Sequence, residues 1–236
     1  MNVITNIISS SLGRKYLMAI SGLGLFGFVV GHLLGNLQIF LGPEQINAYG
    51  ALLKANAGFL WSARIGLIAT IGVHIWMAVL LSSENKAARP IDYLNSPAPT
   101  SASYASRTMI VSGLIVFFFV LYHLLHFTVM VDFINLTGKD FHEFKDILGR
   151  HDIYSMLIIG FRNPLVSVFY LVALALLCLH LTHGFGAMFQ SLGLKNKTYG
   201  PLIDNAGTVI GVLLFIGYAS IPLAVLAGIV GREVAR

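Results

Sequence analysis

Charge is what this sequence has least of. Only 11% of its 236 residues are charged, whereas 56% are hydrophobic. Soluble globular domains carry about 25% charged residues, so the composition excludes a soluble fold and predicts an integral membrane protein. The net charge of +5 suits loops that lie beside anionic lipid. No run of basic and aromatic residues typical of nucleic-acid binding occurs, so no nucleic-acid partner is expected.

Cysteine is also scarce. The single Cys178 cannot form an internal disulfide or a cysteine-based structural zinc site, and it is expected to be a small buried residue. The first 15 residues lack the charged start, short apolar core and cleavage site of a secretory signal peptide. The apolar run that follows Lys15 is therefore expected to be a retained membrane span.

Five apolar runs are long enough to cross a membrane, since a helix of about 20 residues spans a hydrocarbon core of about 30 Å. They cover residues 16–41, 59–82, 108–132, 164–190 and 206–230. The sequence therefore predicts an all-α bundle of five transmembrane helices, forming a single domain over 1–236. An odd number of spans places the termini on opposite sides. The distribution of Lys and Arg does not choose the orientation.

Two of the connecting loops carry local signals. The loop over 42–58 is expected to contain a short surface helix. The loop over 133–163 holds His142 and His151 among acidic and basic neighbours, which favours a solvated surface helix. Zinc ligation by these two histidines is disfavoured, because the loop has no cysteine and no close ligand spacing.

Histidines recur inside the apolar runs. The pattern F-V-x-x-H-L-L occurs at Phe28–Leu34 and again at Phe119–Leu125. Its histidines are His32 and His123, and two further histidines, His74 and His180, lie in comparable runs. An imidazole is expensive to keep in hydrocarbon unless it is hydrogen-bonded or coordinates something, so intramembrane histidines are candidates for function.

The depth of these four histidines sorts them into two pairs. His32 and His123 each lie about 22–24 Å beyond the start of spans that run in the same direction. His74 and His180 lie about as far along the spans that run back. The first pair therefore shares one depth in the membrane, and the second pair shares the other.

Two pairs of histidines at two depths suit two bis-histidine haems, since helical bundles hold such cofactors between facing helices. Zinc or copper is disfavoured, because two histidines supply half of a tetrahedral site and no carboxylate or thiolate completes it. A hydrogen-bonded structural histidine is the alternative for each position alone. His126 and His183 each follow a proposed ligand by three residues. Either could replace its neighbour, or bond to a carbonyl, a propionate or a quinone oxygen.

Gly27 and Gly31 form a G-x-x-x-G motif in the first span. The motif is typical of close packing between two helices. The missing side chains would equally let a flat cofactor approach the backbone one turn from His32.

Longer motifs support a family resemblance. They are His-Leu-Leu-Gly-Asn at 32–36, Tyr-His-Leu-Leu-His-Phe-Thr at 122–128, and Leu-His-Leu-Thr-His-Gly-Phe-Gly-Ala-Met-Phe-Gln-Ser-Leu-Gly at 179–193. With the five spans, they resemble the single-chain dihaem cytochrome b anchor of succinate dehydrogenases and fumarate reductases. The resemblance covers nearly the whole chain.

The resemblance implies that His32 and His123 ligate a distal haem b, and that His74 and His180 ligate a proximal haem b. His180, rather than His183, matches the family pattern of a histidine followed four residues later by Gly184. Some members that oxidise menaquinol carry a glutamate two residues before this histidine, and the sequence departs from that pattern by having Cys178 there.

The resemblance also implies a role in a larger complex. A flavoprotein subunit and an iron–sulfur subunit would dock on the cytoplasmic face. Electrons would pass through the haems between the iron–sulfur subunit and a membrane quinone, expected to be menaquinone. The chain would lie in the inner membrane with its N-terminus in the cytoplasm and its C-terminus outside, and it would not bind succinate itself.

Several residues are weaker candidates for contacts with the cofactors. Four arginines at span ends could bind haem propionates or lipid headgroups: Arg14, Arg64, Arg107 and Arg162. Glu44 is expected near the distal surface, where it could exchange protons with a quinone or remain a solvated loop acid.

Two other functions compete with this interpretation. One is the dihaem membrane subunit of a nitrate reductase or hydrogenase, although those complexes do not take one ligand from each of four successive spans. The other is a proton transporter with a relay of histidines and no haem. Such a transporter usually shows acidic residues or broken helices within the membrane, and none of the five runs has a central Asp or Glu.

Overall fold

The computed structural model of the chain describes residues 8–87 and 104–234, without the side chains of 104–108. The prediction that residues 1–15 are not a signal peptide therefore concerns a segment that lies partly outside the described residues. The side chain of Arg107 also lies outside them.

Helices make up nearly all of this part of the chain, which confirms the predicted all-α fold. Within the described ranges no β-strand is present, and a single bridge joins Lys145 to His151. The α-helices are α1 (Ser11–Asn36), α2 (Pro43–Ala55), α3 (Ala57–Ala87), α4 (Tyr104–Phe127), α5 (Asp132–Asn135), α6 (Ile153–Arg162), α7 (Pro164–Ser191) and α8 (Gly200–Leu226). Two 3-10 helices cover Leu37–Leu41 and Phe141–Glu143.

Five helical segments are long and apolar enough to cross a membrane, as predicted. They are Ser11–Leu41, Ala57–Ala87, Met109–Phe127, Pro164–Ser191 and Gly200–Leu226. The protein is therefore a multi-pass membrane protein. At the start of the fourth segment Pro164 takes the first helical position, and the side-chain oxygen of Asn163 accepts the N–H of Leu165 at 3.0 Å.

The predicted ends of the third and fifth spans are wrong. The third helix stops at Phe127 rather than at 132, because Met130 has a φ of 56°, a left-handed conformation that an α-helix cannot continue through. The fifth begins at Gly200 rather than at 206. It ends at Leu226 rather than at 230, where Gly228 takes a φ of 64° and the N–H of Ile229 bonds back to the carbonyl of Ala224 at 2.8 Å.

The short surface helix predicted within 42–58 is confirmed as α2. Gly42 precedes it with a φ of 100°, which glycine adopts without steric cost, and Pro43 occupies its first turn. A Cβ placed on Gly50 would overlap the side chain of Ile153. The glycine therefore lets α2 lie directly against the start of α6.

The prediction of a surface helix around His142 and His151 is wrong. The residues form a 3-10 turn and an irregular hairpin instead. Aspartate side chains bond to the backbone and hold these turns: Asp140 accepts the N–H of His142 at 2.8 Å, and Asp146 accepts the N–H groups of Leu148 and Arg150, each at 2.9 Å. Such local bonds compete with helical ones.

Contacts along the chain form two compact units, and each of the five long helices contributes residues to both. Unit 1 contains residues 1–29, 63–112 and 179–211. Unit 2 contains residues 30–62, 113–178 and 212–236.

The main apolar core belongs to unit 2. It brings residues of α4, α6, α7 and α8 together around Ile158 and Tyr170, which are 0% and 4% exposed. These side chains are removed from contact with lipid or water. How much they stabilise the fold depends on how closely they pack. The core surrounds one of the two histidine pairs described below.

A buried asparagine joins α2 to α6. Asn47 is 1% exposed, and its amide nitrogen donates to Asp152 at 3.0 Å while its oxygen accepts the N–H of Tyr154 at 3.0 Å. Asp152 in turn caps α6 by accepting the N–H of Ser155 at 3.0 Å. Two side chains, those of Asn47 and Asp152, thus accept the N–H groups at the start of this helix.

Replacing Asn47 by alanine should lower the free energy of unfolding by about 1–3 kcal/mol, because the N–H of Tyr154 would remain buried without its acceptor. Reversible unfolding in mixed detergent micelles measures this change. Gln45→Ala, at an exposed position of the same helix, is the matched control and should change little. Equal losses for the two variants would contradict the role given to Asn47.

Candidate functional site

The structure brings His32 and His123 together in unit 2. Their ring centroids are 5.8 Å apart, with the rings nearly perpendicular at 84°. His32 comes from α1 and His123 from α4. Two tyrosines flank the pair: the ring of Tyr218 lies 6.4 Å from that of His32, and the ring of Tyr170 lies 6.1 Å from that of His123. The two copies of the F-V-x-x-H-L-L pattern therefore present their histidines to each other.

The other two histidines, His74 on α3 and His180 on α7, both belong to unit 1. Each has a serine hydroxyl at Nδ1. The Oγ of Ser21 lies 3.2 Å from Nδ1 of His74, and the Oγ of Ser112 lies 3.0 Å from Nδ1 of His180. The same arrangement is thus built twice, from different helices.

The serines bear on which ring nitrogen carries the hydrogen. The hydroxyl oxygen of Ser21 lies 2.7 Å from the backbone carbonyl oxygen of Leu17, and that of Ser112 lies 3.0 Å from the carbonyl oxygen of Met109. A hydroxyl has one hydrogen, so a serine that donates it to the carbonyl accepts from its histidine. We assign this arrangement, with the hydrogen on Nδ1 in both rings, which leaves Nε2 with a free lone pair. This tautomer is the one that binds a metal through Nε2.

Glycines lie beside the histidines on α1. A Cβ placed on Gly22 would be 3.4 Å from Cε1 of His74, an ordinary van der Waals distance, so the ring lies beside α1 at this residue. Around Gly27 and Gly31, in contrast, a Cβ would meet no described atom within 4 Å. No described helix packs closely on this G-x-x-x-G motif. The close approach of a second helix is therefore not seen at these two glycines, and the approach of a flat cofactor stays a prediction.

His126 lies in a different environment from His123. It is 0% exposed and is enclosed by aromatic rings, with the ring of Phe127 stacked at 3.8 Å and that of Phe141 at 5.9 Å. His123 keeps part of its surface accessible. His126 is therefore enclosed by the chain itself, and the choice of His123 over it as the ligand stays a prediction. His183 is half-buried on α7, and the choice of His180 over it stays a prediction.

Two of the four candidate arginines are already bound by the chain itself. Arg14 forms an ion pair with Glu84. Arg162 donates to the backbone carbonyls of Gly231 and Val234 at 2.6 and 2.8 Å. Arg64 is half-buried in α3. Propionate contacts by these residues and by Arg107 stay predictions.

Glu44 is held by Arg150, whose two terminal nitrogens donate to its two carboxylate oxygens at 3.0 and 2.6 Å. These hydrogen bonds from Arg150 hold the pKa of Glu44 below its ordinary value. The carboxylate is therefore ionised at neutral pH, which suits a structural ion pair between α2 and the hairpin better than proton exchange with a quinone. In the same hairpin, burial and the nearby Lys54 and Lys145 lower the pKa of His151, so this imidazole is neutral at pH 7.

The donor set fits haem. In the described part of the chain, no three His, Cys, Asp or Glu side chains come together as a metal site. Each histidine pair offers two imidazoles, which suits a metal that brings its own equatorial ligands, as haem iron does. No family model, curated protein or solved structure matches the chain.

Sequence reasoning missed the residues that hold these imidazoles. Ser21, Ser112 and Tyr170 each lie on a different helix from the histidine that they contact, between 47 and 68 residues away in the sequence. Their positions show no spacing that would single them out. They become visible only when the helices are packed.

Replacing Ser112 by alanine should weaken haem binding at His180 by about 10–100-fold, because the ring loses the acceptor that keeps its hydrogen on Nδ1. The transfer of haem to an excess of an apo-globin measures this affinity. Ser83→Ala is the control, since Ser83 is exposed on α3 and donates to the carbonyl of Leu80. If Ser112→Ala retained haem as firmly as the control, the tautomer assignment would be wrong.

Proposed function

We propose that the chain is the membrane anchor and dihaem cytochrome b subunit of a succinate:quinone oxidoreductase. It would carry electrons between an iron–sulfur subunit and a membrane quinone, with menaquinone as the proposed quinone. A flavoprotein subunit, bound through the iron–sulfur subunit on the cytoplasmic side, would interconvert succinate and fumarate. This chain supplies no residue to that reaction.

One observation carries the proposal: the histidines of four successive spans fall into two pairs, one in each compact unit. The first pair lies with its rings 5.8 Å apart, and the second has matching serine partners at 3.2 and 3.0 Å. A single structural histidine needs only a hydrogen-bond partner. Two pairs of histidines, one in each unit, are what two cofactors with two imidazole ligands each would need.

His32 and His123 would hold the distal haem b, and His74 and His180 the proximal haem b. A haem with two axial imidazoles has no open position on its iron, so it supplies one-electron transfer rather than oxygen chemistry. The chain's own contribution is to position the imidazoles. Ser21 and Ser112 keep the hydrogen on Nδ1, and the apolar helices keep water away from the rings.

The proposal predicts two haems in each purified chain. Replacing His32 or His123 by leucine should reduce the content from two haems to one, and the remaining haem should keep the spectrum of the proximal site. A reduced-minus-oxidised spectrum, combined with haem extraction, measures both quantities. His142→Leu is the control, because this exposed histidine contacts the carbonyl of Val129 in a loop and should leave both haems in place.

If the purified chain contained no haem, the proposal would be wrong, and a transporter with a histidine relay would be favoured. A content of two haems in both the His32 and the His123 variants would show that the ligands are assigned wrongly. Co-purification separates the respiratory complexes from one another. A flavoprotein with an iron–sulfur protein is expected, whereas a nitrate reductase or hydrogenase subunit would contradict the assignment.

A further inference from the structure

A tyrosine hydroxyl lies between two histidines in unit 2. The hydroxyl oxygen of Tyr170 is 3.0 Å from Nδ1 of His126 and 3.4 Å from Nδ1 of His123. Tyr170 and His126 are 4% and 0% exposed, so neither can exchange these bonds for bonds to water. Three polar side chains therefore meet inside an apolar core.

The number of hydrogens restricts how this cluster can be bonded. The hydroxyl of Tyr170 has one hydrogen, so it cannot donate to both histidines at once. If it donated to His123, that ring would carry its hydrogen on Nε2 and could not bind iron through that atom. If it donates to His126, the hydrogen of His123 is on Nδ1 and its Nε2 is free to bind.

We propose that Tyr170 and His126 are positioning residues for the distal haem ligand, an inference that rests on the proposed function. His123 donates through Nδ1 to the oxygen of Tyr170, and Tyr170 donates to Nδ1 of His126. His126 acts as the final acceptor, which fixes the direction of both hydrogen bonds. Tyr170 and His126 together keep the hydrogen of His123 on Nδ1, as Ser21 and Ser112 do for His74 and His180.

The surroundings of His126 leave Nδ1 as the ring nitrogen with a polar partner among the described residues. Nε2 is buried without a hydrogen-bond partner there. A Cβ placed on Gly160 would be 3.2 Å from Nε2, so the glycine makes room for the ring but offers it no acceptor. In the assigned direction Nε2 carries a hydrogen, and leaving that N–H unpaired costs stability. The assigned direction therefore rests on the need for a free Nε2 on His123.

Tyr170→Phe tests the proposal, because it removes the hydroxyl and keeps the ring in its aromatic cluster. His123 then loses its acceptor, becomes a weaker electron donor, and stabilises ferric haem less. The midpoint potential of the distal haem should therefore rise, while the potential of the proximal haem stays as in the wild type. A redox titration of the α-band measures both potentials, and the His32→Leu variant identifies which component is distal.

Tyr122→Phe is the matched control. Tyr122 belongs to the same cluster, with its ring 5.8 Å from that of Tyr170, but its hydroxyl donates to the backbone carbonyl of Ile134 at 3.4 Å. Both potentials should be unchanged in this variant. A shift as large as that of Tyr170→Phe would mean that packing in the cluster, rather than the hydroxyl, sets the potential.

A double-mutant cycle tests the direction of the bonds. In His126→Phe the hydroxyl of Tyr170 has lost its acceptor and turns to Nδ1 of His123, which favours the tautomer that cannot bind iron. The distal haem should then dissociate about tenfold more readily or worse. In His126→Phe/Tyr170→Phe the hydroxyl is absent, so haem retention should return to that of Tyr170→Phe alone.

The inference is overturned if Tyr170→Phe leaves both potentials unchanged, or if the two substitutions weaken haem binding additively. Loss of the proximal haem in either single variant would also overturn it, since that would indicate general damage to the bundle. These results require a wild-type chain with two haems. A wild type without haem defeats the proposed function first, so the two failures are distinguishable.

Discussion

The arrangement of this protein depends on the two nitrogens of each buried imidazole. One nitrogen carries a hydrogen and needs an acceptor, and the other has a lone pair that needs a donor or a metal. In an apolar bundle no solvent supplies either one. The structure meets the first need from within the chain, with Ser21 for His74, Ser112 for His180 and Tyr170 in the His123 cluster. The second need is the one that the proposed haems would meet.

Much of the fold could be predicted from the sequence because membrane spans depend on length and apolarity. The five spans, the all-α fold and α2 follow from these properties, and residue counting along helices of fixed rise placed His32 near His123. Helix ends were less predictable. A positive φ at Met130 or Gly228 ends a helix inside an apolar run. Hydropathy does not predict such a change in backbone conformation.

The parts that could not be predicted depend on contacts between distant residues. The hairpin around Asp146 folds through bonds from a carboxylate to nearby backbone N–H groups, so the charge pattern that suggested a helix was misleading. The partners of the histidines lie on other helices. Glu44 looked like a loop acid available for protons, but Arg150, far along the chain, holds it as an ion pair.

The polar contacts at the span ends bear on how the chain inserts. Arg14, at the start of the first span, pairs with Glu84 at the end of the second, and Arg162, before the fourth span, binds the segment that follows the fifth. Each contact requires that two consecutive spans cross in opposite directions. A nascent chain in which one of these spans failed to integrate would leave its arginine stranded across the bilayer from its partner. The two contacts can therefore form only when the two spans in each pair cross in opposite directions.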